Sequence, residues 1–246
     1  MIEEVMLDSK FRIPAWKRIF DFLVIAVTAP FWLPLMILLT LAVKLVSPGP
    51  VFYRQWRVGY RGRHFRILKF RSMKVNAQTE NHLNHVENLI QTNRPMTKMD
   101  ASGDSRMIPG GWVLRASGLD ELPQIFNVLK GEMSLVGPRP CIPREFDCYK
   151  ADQKRRVDAP PGLTGLWQVN GKNRLTFTEM INLDLKYTDN MSLRMDMKII
   201  LKTIPAILGQ VSDAKIRIRS HTGPTKQTAE ELAPGAEFGP LGDSVS

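Results

Sequence analysis

Between Phe22 and Val43 the chain carries twenty-two consecutive residues without a charge, FLVIAVTAPFWLPLMILLTLAV. As a helix this run is about 33 Å long, enough to cross a hydrocarbon core of roughly 30 Å. A cleaved leader fits poorly, because the run is longer than a leader's apolar region and no small-residue cleavage site precedes Lys44. Two features count against a simple spanning helix. Pro30 and Pro34 lie in the middle, where each removes a backbone donor and crowds the preceding turn. Both flanks also carry the same sign. Lys10, Arg12, Lys17 and Arg18 precede the run, and from Phe52 to Lys74 there are basic residues and no acidic one. Cytoplasmic retention of positive charge would hold both ends on one side. A segment that enters, breaks at Ala29-Pro30 and returns satisfies both features, and a kinked spanning helix is the alternative.

The rest of the chain is basic. Net charge is +10 and the pI is near 9.8, which calls for an anionic partner: nucleic acid, anionic lipid or a phosphorylated substrate. No recognisable nucleic-acid motif accompanies the charge. Cys141 and Cys148 show no CxxC spacing, so neither a disulfide framework nor a zinc finger is expected. After SPGP, the alternating aromatic and basic residues of VFYRQWRVGYRGRHFRILKFRSM read as short strands around a GYRG turn. They equally suit a strip at lipid headgroups. Residues 76–105 are polar, and the pair His82 and His85 lacks a third ligand, so a surface helix is expected there rather than a metal site. In LRMDMKIILKTIPAIL, from Leu193 to Leu208, Arg194, Lys198 and Lys202 recur every four residues opposite an apolar face. That pattern predicts an amphipathic helix, either flat on an anionic membrane or packed as an ordinary core helix, and the apolar run upstream favours the interface. From Val211 onward the composition suits a disordered tail. The expected divisions are an N-terminal segment 1–15, a membrane hairpin 16–47, a catalytic region 48–210 and a tail 211–246. The fold class expected is α/β, mostly helical with few short strands.

Chemistry concentrates in LRASGLDELPQIFNVLKGEMSLVGPRP, Leu114 to Pro140. Leu119, Leu122, Ile125, Phe126 and Leu129 have helical spacing, and Gly131 stops the pattern. Ser117 stands three residues before Asp120 as in a capping box, so Asp120 can be read as a cap and Glu121 as a charge favouring the helix dipole. Three features point further. A helix start offers free N–H groups to a phosphate. Arg115 and Arg139 flank the pair and could clamp a diphosphate. Two adjacent carboxylates would repel phosphates unless a divalent cation such as Mg²⁺ intervened. These residues suggest metal-assisted phosphoryl chemistry without fixing the reaction.

The motifs KRIFDFLVIA, SPGPVFYRQWRVGYRGRHFRILKFRSM, LDELPQIFNVLKGEMSLVGPRP, PGLTGLWQVNG and LDLKYTDNMSLRMDMKII occur in this order between Lys17 and Ile200. In these motifs the chain resembles the bacterial sugar transferases, monotopic phosphoglycosyl transferases that begin polysaccharide assembly. The resemblance implies a re-entrant helix-break-helix hairpin with its break at Ala29-Pro30, where many members carry Ser before Pro, and interfacial helices. It implies that Asp120 attacks the β-phosphate of a UDP-sugar, releasing UMP, and that undecaprenyl phosphate then takes the phosphosugar. It further implies that Glu121 ligates Mg²⁺, that Arg115 and Arg139 hold phosphate oxygens, and that Lys69 lies beside the dyad. The setting implied is the bacterial inner membrane and its lipids, with the catalytic region facing the cytoplasm. The loop residues Trp167, Gln168 and Asn170 are candidates for the nucleotide or sugar, with a core Trp in a turn as the equal alternative. Asp184 and Tyr187 stay undecided. Gly118 departs from the Ser that members often carry there. A non-catalytic membrane scaffold is the competing class; clustered carboxylates between arginines weigh against it. Nothing in the sequence sets an oligomeric state, and a homodimer stays open.

Overall fold

A computed structural model describes residues 13–74, 87–95, 106–171 and 174–206. The expectations for the N-terminal segment before residue 13, for His82 and His85, and for the tail lie outside these residues. The first element, α1, is Ala15–Val46. It is followed by a hairpin of β1 (Phe52–Val58) and β2 (His64–Phe70), paired antiparallel with Trp56 opposite Arg66 and Tyr53 opposite Lys69. Residues 87–92 form α2, and α3 is Gly111–Ser117. A 3₁₀ turn, Leu119–Gln124, runs directly into α4, Ile125–Lys130. Strand β3 (Ser134–Val136) pairs in parallel with β4 (Gly162–Thr164). Between them lie α5 (Pro143–Asp147), α6 (Ala151–Lys154) and a 3₁₀ turn, Arg155–Asp158. Helices α7 (Leu166–Val169), α8 (Phe177–Asp189) and α9 (193–206) complete the order. Mostly helical with short strands, this is the expected class.

Helix α1 is long and apolar enough to cross a membrane. The helix-break-helix expected at Ala29-Pro30 is not an interruption: α1 runs through with Pro30 and Pro34 inside it. Side chains take up carbonyls around the prolines. The Trp32 indole donates to Ile25 O at 3.0 Å and the Thr28 hydroxyl to Val24 O at 2.7 Å. Phe31 and Val27 near the middle are 80% and 74% exposed, and no globular core covers them. Both arms, in contrast, dock on the same body. Ile25 joins a core cluster with Phe65, Ile67, Val128, Met133 and Tyr187. Met36 and Val43 join another with Phe70, Ile108 and Leu114.

Polar contacts fasten these arms. Lys17 and Asp196 form a fully buried ion pair, and Lys17 also donates to the Tyr187 hydroxyl at 2.8 Å, while that hydroxyl donates to Asp196 at 2.7 Å. Asp21 accepts from Ser134 Oγ and from Leu135 N–H, both at 3.0 Å. At the other end Arg71 donates to the carbonyls of Ser47 and Pro48, at 2.6 and 2.7 Å. A charge buried without its partner is costly. Lys17→Met is therefore expected to destabilise the fold by about 3–5 kcal/mol, and Lys17→Met/Asp196→Leu to recover much of that loss. Denaturant unfolding of the three proteins in detergent checks this.

Candidate functional site

Three segments converge on Glu121. The first is the 3₁₀ turn that carries it. The sequence pattern predicts one helix from Leu119 to Leu129 capped by Ser117, and the structure corrects this. Ser117 belongs to the last turn of α3, where its hydroxyl donates back to Val113 O at 2.7 Å; Leu119 N–H reaches it only at 3.4 Å. Gly118, at φ +76°, both closes α3 and opens the next turn. That left-handed φ suits glycine, since a side chain there is strained. Pro123 lacks an N–H, so the turn stays 3₁₀ and the α-helical pattern begins at Ile125. Asp120 is buried and Gln124, four residues on, more so.

The second segment is β2, which delivers Lys69: its Nζ donates to Glu121 Oε1 at 2.8 Å. The third is the GPRP loop after β3. Arg139 grips Glu121 with both nitrogens, Nη2 to Oε1 at 2.9 Å and Nη1 to Oε2 at 3.2 Å. The loop is braced from behind by two buried arginines that sequence reasoning passes over. Arg57 donates to Pro140 O at 3.1 Å and Arg156 to Arg139 O at 3.0 Å. Arg156 is in turn fixed by the Asp184 carboxylate and the Tyr149 hydroxyl. A close backbone approach locks the loop further, because a Cβ on Gly137 would stand 2.0 Å from Pro160 O.

Asp184 and Tyr187 thus become anchors, of the GPRP loop and of α1 respectively. Arg115 stands half-buried in the last turn of α3, one element before the dyad. Trp167 is buried in a core cluster with Val58, Cys141 and Phe177. Gln168 and Asn170 donate to the carbonyls of Leu163 and Leu166, at 3.5 and 2.7 Å. The loop that holds these three is therefore largely occupied with its own packing.

Burial works to raise the Glu121 carboxyl, but Arg139 and Lys69 outweigh it and hold the group well below the usual carboxylate range. Burial lowers the Lys69 ammonium, opposed by Glu121. Glu121 raises the Arg139 guanidinium, with Asp120 adding to the effect, which places the Asp120 charge in the same cluster. Burial lowers Arg57, and the nearby Arg139 charge adds to that. The result is a carboxylate held ionised well below the usual range between cations, beside a second carboxylate. Among the described residues no three His, Cys, Asp or Glu side chains gather as a metal-binding group. Asp120 and Glu121 still suit an ion that takes one or two protein carboxylates and completes its shell with phosphates and water. Glu121 Oε2 accepts one hydrogen bond and keeps a lone pair for such an ion.

Because the Glu121 pKa is depressed on folding, its contribution to stability is present above the ordinary value of 4.5 and is lost as pH falls through the lower folded value. The melting temperature of the native chain minus that of Glu121→Gln is expected to stay level between about pH 6 and 8 and to shrink as the pH is taken below the ordinary carboxylate value. Thermal unfolding of both proteins across pH checks it.

Residues 13–210 match the bacterial sugar transferase family. The exopolysaccharide production protein ExoY of Rhizobium meliloti (strain 1021) is 38% identical over 193 residues, covering 78% of this chain and 84% of that protein. The UDP-glucose:undecaprenyl-phosphate glucose-1-phosphate transferase of Caulobacter vibrioides is 40% identical over 200 residues, covering 78% and 69%. The undecaprenyl-phosphate galactose phosphotransferase of Salmonella typhimurium (strain LT2) is 38% identical over 198 residues, but those residues are 40% of its length.

Proposed function

Because the chain belongs to the bacterial sugar transferase family, we propose that it moves a sugar 1-phosphate from a UDP-sugar to undecaprenyl phosphate, giving undecaprenyl diphosphate-sugar and UMP. The observation that carries this reading is the Lys69–Glu121–Arg139 contact beside buried Asp120. Asp120 attacks the β-phosphorus of the donor, and the bond from that phosphorus to the α–β bridging oxygen breaks. UMP leaves with the oxygen, and the phosphosugar is esterified to Asp120. An oxygen of undecaprenyl phosphate then attacks the same phosphorus and releases the Asp120 carboxylate. A carboxylate is a weak nucleophile, so positioning and fixed positive charge must supply the missing barrier reduction. Arg139, Lys69 and Arg115 hold phosphate oxygens and offset the charge that accumulates. Glu121 would hold Mg²⁺, which when bound supplies Lewis-acid polarisation of the phosphates. Splitting the transfer at Asp120 means that the soluble donor and the lipid acceptor need not be bound together.

The proposed setting is the cytoplasmic face of the inner membrane, with α1 as a re-entrant segment. A straight 32-residue helix would be about 48 Å long. The polar ends of both arms nevertheless engage one body, Lys17 at α9 and Ser47 at Arg71, while the apolar middle stays exposed. A spanning helix would have one end on the far side of the bilayer. On α9, Leu193, Met197, Leu201 and Ile204 are exposed on one stripe beside Arg194, Lys198 and Lys202. This arrangement suits an interface with anionic lipid. Gln168 and Asn170 remain proposed contacts for the nucleotide or sugar, with Trp167 behind them in the core.

The test is release of UMP from UDP-glucose or UDP-galactose by purified protein in detergent with undecaprenyl phosphate and Mg²⁺. Asp120→Asn is expected to lower turnover by about 10³-fold or more. Glu121→Gln is expected to lose its response when EDTA is followed by Mg²⁺. Full turnover by the Asp120 variant removes it as nucleophile. For topology, cysteines placed at Ala15 and Ser192 in a Cys148→Ser background are expected to label only from the cytoplasmic side. Labelling of position 15 from outside overturns the re-entrant reading.

A further inference from the structure

Among the described residues, strand β2 bonds to β1 along one edge, and its other edge is met by the side chain of Asn127. Asn127 is 1% exposed. Its Oδ1 accepts the Leu68 N–H at 3.0 Å and its Nδ2 donates to Arg66 O at 2.8 Å. An N–H of one residue and a C=O two residues earlier is the pair that a neighbouring parallel strand would engage. The Asn127 amide therefore stands in for one residue of a missing strand, bracketing Ile67. A third bond, from Nδ2 to Glu132 Oε2 at 2.7 Å, sets which way the amide faces. The Asn127 carbonyl in turn accepts the N–H groups of Glu132 and Met133, at 3.0 and 3.3 Å.

The strand fixed in this way carries Lys69 immediately after Leu68, and the chain that carries Asn127 carries Glu121 six residues earlier. We propose that Asn127 is a positioning residue for the dyad: by clasping the edge of β2 it sets the register that brings the Lys69 ammonium onto Glu121. The clasp is specific to this amide. Asp at 127 could still accept from Leu68 but would turn a carboxylate oxygen toward the Arg66 carbonyl and Glu132. Alanine or leucine would leave both strand groups without their partner. A two-stranded ribbon has little rigidity of its own. Loss of the clasp lets β2 shift against the 3₁₀ turn, and a displacement of about 1 Å at reacting groups can cost about 100-fold in rate. The consequence for catalysis rests on the transferase reading above; the consequence for Lys69 does not.

The experiment reads both. Lys69 is acetylated by acetic anhydride in the full-length protein in detergent, and the rate at that residue is followed by mass spectrometry. In the native chain its side chain is 14% exposed and bonded to Glu121, so modification is slow. Asn127→Ala and Asn127→Asp are expected to speed acetylation of Lys69 about tenfold, and to lower kcat for UMP release about 10- to 100-fold with KM for the UDP-sugar within about threefold. Ile181→Ala, buried in a different core cluster, serves as a variant of comparable melting temperature. It is expected to leave the Lys69 rate at the native level. Unchanged Lys69 acetylation in both Asn127 variants overturns the proposal, as does an equal acceleration in Ile181→Ala. Accelerated Lys69 acetylation in the Asn127 variants, together with a native chain that releases no UMP, supports the positioning role and overturns the transferase reading instead.

Discussion

Glu121 sits where the chain would otherwise assemble an unstable excess of positive charge. Lys69 and Arg139 bond to it directly, and Arg57 lies close enough to depress and be depressed by its neighbours. Without a carboxylate at their centre these cations would repel one another in a partly dry site, where charge interactions are stronger than in water. With it, three segments far apart in sequence acquire a common point. The contact is thus structural and electrostatic together. The carboxylate stays ionised because the cations are there, and the cations stay half-buried side by side because the carboxylate is.

That centre is held at one remove from the exposed middle of α1 by polar groups on both arms of the helix. Lys17, Arg18 and Asp21 turn inward at the first arm, and Ser47 meets Arg71 at the second. None of these polar groups has to face lipid, because the body supplies each with a partner. The middle of the apolar stretch between them, at Val27 and Phe31, has the opposite character and is exposed. The division of labour within one helix follows from the cost of leaving a polar group unpaired in an apolar medium.

The residues that meet at Glu121 were legible in part: Arg139 stands with the Asp120-Glu121 pair in one contiguous motif whose charges suit phosphate, and Lys69 was expected beside the pair from the family resemblance. The apolar run was legible for the same reason, as a local composition. What escaped was long-range pairing. Lys17 meets Asp196 across 179 positions and Asn127 meets Leu68 across 59, and no periodicity announces either. Arg57 reads as one more basic residue in a strip until the fold turns it against the carbonyl of Pro140. Ser117 misled because a capping box and the end of a preceding helix share a residue type. Only the φ of Gly118 separates them.

Helix α4 shows how such pairings act together. At six residues it is far too short to be stable alone, since isolated helices below about 12–15 residues are marginal. Its position must come from its neighbours. One of its sides holds β2 through Asn127. Its C-terminal carbonyls at Val128 and Leu129 accept the Arg18 guanidinium from α1, a cation at the negative end of the helix dipole. Gly131, at φ +82°, lets the chain turn away beneath that guanidinium, and its backbone lies close enough that an added Cβ would touch Arg18 at 3.7 Å. The same short helix therefore receives the first arm of α1 at one end, grips the Lys69 strand along its side, and continues the turn that bears Asp120 and Glu121. A rigid link of this kind fixes the height of the dyad relative to α1. On the proposed reading, in which the acceptor is a lipid phosphate, that height has to be fixed, because the acceptor would approach only from the plane in which the lipid lies.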